Sequence, residues 1–188
     1  PGTLSTFEAG TKINKMSGFF AGADFFSMFS FPLLAGKQES ALNTPEGIAI
    51  SRKMAELFFG SPEKAVGQTI RYENKEELQV TAVFENIPSN SSIQFDFLRS
   101  WKAFVKENAW VNNWGNTSPS TFVQLRAGAD PLKVKARIKD FVYNYRQKEK
   151  GFVVELVLQS YPEKHLHSSF KNGKIDGGRI EYVRLFTI

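Results

Sequence analysis

Two histidines, His165 and His167, are the only imidazoles in the 188 residues, and they stand at i and i+2. On an extended chain that spacing turns both rings to one side, an arrangement that can supply two metal ligands. Glu163 and Asp176 are the acidic residues close enough in sequence to extend the set. A metal-dependent hydrolase is the enzyme class such a pair would serve. The simpler reading is of loop or strand-end residues with a structural hydrogen bond, so no metal is expected. Cysteine is absent, which removes thiolate catalysis, disulfides and cysteine-ligated metal. No G-x-S-x-G occurs, so there is no nucleophile elbow. No G-x-x-x-x-G-K-[ST] occurs either, and "GKIDGG" at 173–178 matches neither that loop nor a dinucleotide fingerprint. Carboxylates are scattered, and no pair is marked out as acid and base. Neither a catalytic residue nor a cofactor is expected.

Two other groups of residues point to binding. Trp101, Trp110 and Trp114 fall within one short stretch, which reads either as an aromatic platform for a ligand or as half-buried anchors whose indole N–H finds a carbonyl. Lys133, Lys135, Arg137 and Lys139 lie mostly off the apolar stripe of a helix. A solvated basic face is the plain reading, and a docking surface for an acidic partner or lipid headgroups is the sharper one. Trp101, Trp110, Trp114, Lys133 and Arg137 are therefore the candidate partner or ligand surface.

Composition bounds what these groups can do. The formal charge is +5 and the isoelectric point about 9.4, a modest excess spread along the chain. No arginine-rich arm, zinc-finger spacing or RNP-type strand is present, so no nucleic-acid partner is expected. The most apolar stretch, "ADFFSMFSFPLLAGK", is interrupted by Asp24, Ser27, Ser30 and Pro32. A charge and a helix breaker inside it argue against a membrane span and for a core helix over 25–29, capped by Asp24. A first residue that is proline suggests a processed chain or a fragment.

The elements that must position these side chains alternate between helix and strand. Residues 1–17 are weakly patterned and read as irregular, with a strand near 18–23. "GIAIS" at 47–51 reads as a buried strand, and Ser51 caps a helix whose Met54, Leu57 and Phe58 form one stripe. Gly60 and Pro62 end it. Residues 66–84 read as a hairpin, with Leu78, Val80, Ala82 and Phe84 on its buried face. "ENIPSNSSIQF" at 85–95 is a connection and the best internal boundary. "STFVQLR" at 120–126 and "GFVVELVL" at 151–158 read as strands. Asp130-Pro131 opens the basic helix. The mixture predicts an α+β fold.

In order and spacing, several of these pieces resemble the extracytoplasmic core domain of MacB/FtsX-type ABC transporter permeases, in the form common in Bacteroidetes. "GADFFSMFSFPLLAGK" resembles that family's "VDpdFFkvFdFpLleG". "ALNTPEGIAISRKMAELFFG" is similar to its strand, Ser/Thr cap and helix ending in FG. "LQVTAVFENIPSNSSIQFDFL" resembles "ftVtGVledlPxNSHlxfdfl", and "LVLQSYPEKHLHSSF" resembles "LqPLxdIHLhS". Ala82 departs from the usual glycine, Ser92 from a frequent histidine, and Ser160-Tyr161 from proline-leucine.

The resemblance implies a two-part ectodomain between two membrane helices. A sabre-like mixed α/β subdomain at 24–90 would be inserted in a porter-like βαβ subdomain made of 1–23 and 91–188. The match to 1–17 is weak, so the family's first strand and helix are expected to be missing from this fragment. The implied role is non-catalytic. The domain would couple motion of the membrane helices, driven by a cytoplasmic ABC ATPase, to substrate export or to a periplasmic adaptor or second permease copy. It would face the periplasm from the bacterial inner membrane. The alternative is a module that captures ligand or lipoprotein directly through the Trp-rich region.

Overall fold

In the computed structural model the described residues are 2–115, 119–164, 166–171 and 174–186. They form two compact units, divided between Asn112 and Asn113. The N-terminal unit is built on seven strands: β1 (Thr3–Ala9), β2 (Lys12–Ala21), β3 (Leu33–Gly36), β4 (Gly47–Ser51), β5 (Thr69–Tyr72), β6 (Glu76–Phe84) and β7 (Phe97–Ser100). They run in the order β3-β6-β4-β7-β2-β1-β5. Strand β5 pairs with β1 on one side and with β6 on the other, which closes β6-β4-β7-β2-β1-β5 into a ring. The helices of this unit are α1 (Phe25–Met28), α2 (Arg52–Phe59), α3 (Pro62–Ala65) and α4 (Trp101–Glu107). The mixture of helix and strand is that of an α+β fold.

Residues 3–21, expected to be mostly irregular, are instead a long hairpin, Thr3↔Gly18 to Ala9↔Lys12. Gly10 turns it at φ +60°, a conformation that suits glycine. The pattern is faint because few of its side chains are fully buried: Ser5 and Phe7 on β1, and Met16, Gly18 and Ala21 on β2.

The strand and helix at 47–59 form as the residues dictate. All five residues of β4 are buried, the Ser51 hydroxyl accepts from Met54 N–H (3.2 Å), and Gly60 ends α2 in the left-handed conformation. Helix α1 also forms after Asp24, but the Asp24 side chain makes no capping bond; its carbonyl accepts from Ser27 and Met28 instead.

Strand β6 departs from simple alternation. Ile48 faces Val80 and Ala49 faces Ala82, so Thr81 is an extra residue, a bulge. Its hydroxyl donates to Ala41 O (2.6 Å), with Ile48 O at 3.0 Å. The bulge reverses the faces. Leu78, Val80 and Val83 join one core with Phe7, Ile48, Met54 and Phe97. Ala82 and Phe84 join a second, with Phe26, Leu42, Phe95 and Leu98. The expected single face of 78, 80, 82 and 84 is thus split, and 82, 83 and 84 are all fully buried.

The phenylalanine-rich stretch packs into this second core. Phe25 stacks on Phe31 at 5.4 Å, and Phe95 meets Phe19, Phe31 and Phe84 at 5.0–5.3 Å. Burying a ring such as Phe26, 2 % exposed, contributes about 1.5–3 kcal/mol, and the stretch makes the core helix expected of it.

The seven-stranded sheet draws on all three segments of the implied porter and sabre division: β1 and β2 from 1–23, β3 to β6 from 24–90, and β7 from beyond 91.

The C-terminal unit holds α5 (Pro131–Ile138), α6 (Tyr161–Lys164), α7 (Ile180–Phe186) and a two-residue ladder of β8 (Phe170–Lys171) with β9 (Lys174–Ile175). The Asp130 carboxylate caps α5, accepting from Leu132 N–H at 2.9 Å. Residues 120–126 and 151–158, read as strands, are not in one. The second forms only an isolated bridge, Glu149↔Phe152, and its backbone donors go elsewhere: Val154 N–H to the Tyr143 hydroxyl and Leu156 N–H to Lys139 O. Alternation extends a chain, but a strand also needs a neighbouring edge, and neither segment finds one among the described residues.

Gly18 leaves no room for a side chain in the ring. A Cβ there would lie 2.2 Å from Phe97 O, across the parallel β2–β7 pairing. Gly18→Ala should therefore destabilise the chain by about 1–3 kcal/mol in urea unfolding, the usual cost of overpacking. An unchanged midpoint would show that the two strands part freely.

Candidate functional site

The feature of the N-terminal unit least expected from its sequence is a buried arginine. On β7, alternation sends Phe97 and Arg99 to one side and Leu98 to the other, with the second core. Arg99 is 1 % exposed. Its guanidinium lies between the rings of Tyr72 (4.5 Å) and Phe20 (5.1 Å). Its Nη2 donates to Glu76 at 2.8 Å and lies 3.0 Å from Glu107. Glu76 is the first residue of β6 and Glu107 the last of α4, so one side chain ties β7 to both. Tyr72 is held in turn by Ser5, hydroxyl to hydroxyl at 3.2 Å. Arg99 Nε and Nη1 have no hydrogen-bond partner among the described residues. The signal in the sequence was a cation inside the apolar run "FDFLRSW", which reads as exposed unless β7 is known to be buried on both faces.

A second ion pair holds down the connection at 85–96. Arg52 donates to both carboxylate oxygens of Glu85, at 3.0 and 2.7 Å. The Asn86 side chain accepts from Lys53 N–H (2.9 Å), and Asp96 accepts from Ser17 N–H (3.3 Å). Beside these lies a cavity of about 280 Å³, bordered by Ser17, Ser51, Lys53, Asn86 and Asp96. Its polar groups are engaged with one another: Lys53 pairs with Asp96 at 3.5 Å, and the Ser51 hydroxyl caps α2. The hydrogen bond from Arg52, followed by the Asn86 N–H, holds the Glu85 carboxyl below the usual carboxylate range.

The tryptophans divide between the units. Trp101 stacks on Phe104 at 4.8 Å, and Trp110 meets the same ring edge-on at 5.9 Å, with its indole N–H on Asn108 (3.2 Å). Trp114 belongs to the C-terminal unit, stacked on Tyr145 at 4.1 Å. Lys133 and Arg137 are exposed on α5. His165 lies outside the described residues. His167 is half-buried; its backbone N–H donates to Glu163 O and its carbonyl accepts from the Gln159 side chain. Among the described residues no group of three histidine, aspartate or glutamate side chains is placed to hold a metal. No helix of the described residues is long and apolar enough to cross a membrane.

Stacked rings, a clasp of one cation and two carboxylates, and the central strands β4 and β7, buried on both faces, hold the N-terminal unit together. The model of the MacB-like periplasmic core domain matches residues 2–141. The chain belongs to that family, the periplasmic domains of ABC transporter permeases. Comparison with curated proteins gives no match. Among solved structures, a domain of a putative permease protein from Porphyromonas gingivalis is similar, with a TM-score of 0.55 at 21 % identity, covering 78 % of this chain and 67 % of that one. The periplasmic region of MacB from Actinobacillus actinomycetemcomitans gives 0.50 at 11 % identity, covering 76 % and 63 %. At these identities the likeness is one of fold, and the chain spans about two thirds of the length of either relative.

Two outcomes follow from the ion pairs. Arg99 is buried while Glu76 and Glu107 keep 43 % and 38 % of their side-chain surface. Removing both carboxylates strands a charge in the core, whereas removing Arg99 leaves two carboxylates that water can reach and deletes two buried nitrogens that have no partner among the described residues. E76Q/E107Q should therefore lose about 3 kcal/mol and Arg99→Met clearly less; the reverse order in urea unfolding would contradict the burial argument. For Glu85, a lowered folded-state pKa means that stability is gained above the ordinary carboxylate pKa and lost as pH falls through the lowered one. The gap between wild type and Arg52→Gln should be widest at neutral pH and close in acid. A gap that grows on acidification would reverse the sign.

Proposed function

We propose that this chain is a non-catalytic, force-transmitting part of an ABC permease, facing the periplasm from the bacterial inner membrane. ATP hydrolysis by a cytoplasmic nucleotide-binding domain would move membrane helices, and the helices would move this domain. The domain in turn would shift substrate, a periplasmic adaptor or a second permease copy. The single observation that carries the reading is the closed strand ring of the N-terminal unit, with apolar cores on both faces, in a chain of this family. A close-packed body passes displacement on rather than absorbing it. Direct capture of ligand by a three-tryptophan platform has less support, since Trp101 and Trp110 gather on Phe104 while Trp114 pairs with Tyr145 in the other unit.

These 188 residues contain no cysteine, so within them an introduced thiol is the sole label site. In the full-length permease, reconstituted with its ATPase, a donor at Lys75→Cys and an acceptor in the lipid should report a distance that changes between ATP and ADP. A label pair at Lys37→Cys and Lys75→Cys, both in the N-terminal unit, should stay constant. A lipid distance indifferent to nucleotide, or an internal distance that follows it, would sink the proposal.

A further inference from the structure

The two units carry very different charge. Residues 113–188 hold thirteen lysines and arginines against seven acidic residues, a net +6, while 1–112 hold eleven against twelve, a net −1. The whole basic excess of the chain therefore sits in the C-terminal unit. Helix α5 concentrates it. Val134 and Ile138, four residues apart, are its half-buried side. At 3.6 residues per turn, Leu132 and Ala136 point the opposite way, with Lys135 and Lys139 along one flank and Lys133 and Arg137 along the other. Leu132 is 76 % exposed. Lys139 is engaged by Glu155 at 3.0 Å, but among the described residues Lys133, Lys135 and Arg137 form no ion pair.

We infer that the outward face of α5 rests on an anionic lipid surface. A cationic rim around an exposed leucine is the composition of an interfacial helix, in which the apolar centre enters the headgroup boundary while the cations meet lipid phosphates. The chain just after α5 adds aromatic rings of the kind that sit at such boundaries. Phe141 is 40 % and Tyr145 55 % exposed, and Tyr145 stacks on Trp114. An acidic protein would satisfy the cations equally well, but it gives no reason for Leu132 to stand uncovered among them.

The test uses the 188-residue chain and sedimentation with phosphatidylcholine vesicles, with and without phosphatidylglycerol. Binding should require phosphatidylglycerol and weaken as salt rises. K133Q/R137Q should weaken it roughly 30-fold, at about 1 kcal/mol per basic residue near the surface. Leu132→Ser should weaken it by about tenfold, and K64Q/K75Q, in the other unit, should leave it unchanged. These positions are exposed, and circular dichroism checks that the variants fold. Absent binding, equal binding to neutral vesicles, or insensitivity to both α5 variants overturns the inference. So does equally tight binding of soluble polyglutamate that ignores Leu132→Ser, the signature of an acidic protein partner. Vesicle binding needs no nucleotide, so its failure leaves the force-transmitting reading untouched.

Discussion

Strand β6 is the member on which the N-terminal unit depends. Along one edge it pairs with β4; along the other it gives its first half to β5 and its second half to β3. Because β5 also holds β1, β6 closes the ring, and a closed set of strands has no free edge along which one member slides without breaking the hydrogen bonds of two neighbours. Closure also creates the interior that Arg99 must occupy with Phe7, Phe97 and Tyr72. An arginine there is an unfavourable choice on burial alone. Its two carboxylates come from the first residue of β6 and from the last residue of α4, so the charge fixes where both elements sit.

The bulge at Thr81 is the second constraint. By reversing the faces of β6 midway, it lets one strand serve the ring interior with Leu78 and Val80 and the outer core with Ala82 and Phe84. The phenylalanines of 25–31 need that outer surface, since Phe26 packs on Phe84 at 5.9 Å and Phe95 bridges the remainder. A hydrophobic stretch that looks suspicious in isolation is thus accounted for by the second apolar core that β6, β4 and β7 present on their outer face.

What the sequence made legible were elements whose signals are local. The Ser51 cap, the Gly60 stop and the Asp130-Pro131 opening all formed where their residues placed them, because each depends on neighbours within one turn; the hairpin expected over 66–84 forms with its first strand starting only at Thr69, since Val66 ends the short helix α3. The β1–β2 hairpin was hidden because only part of each strand is buried and serine and glycine fill some of its inward places. Arg99 was hidden because its burial follows from ring closure, which joins residues far apart in sequence. The strands read at 120–126 and 151–158 failed for the converse reason, since their alternation is real but a ladder is a property of two chains. Of the candidate surface residues, Lys133 and Arg137 were legible as exposed from the helical period, while the three tryptophans looked like one group only because they are close in sequence.

The two units also differ in how they gain order. In the N-terminal unit large side chains such as Phe7, Phe84, Phe97, Met54 and Leu78 are almost wholly withdrawn from water. Among the described residues of the C-terminal unit, Val142 is the one apolar side chain fully buried, while Leu132, Phe152, Val153, Tyr182 and Leu185 each expose more than half their surface. A unit of this size gains only a few kcal/mol beyond its conformational entropy even with a good core. With a thin one, the proposed contact of α5 with anionic lipid would supply part of what the core does not, and the basic balance of the unit favours an anionic surface over a neutral one. The N-terminal unit is therefore well packed and nearly neutral, and the C-terminal unit is thinly packed and basic, so the first holds its shape through its own core while the second has both the exposed apolar side chains and the charge with which to meet a partner surface.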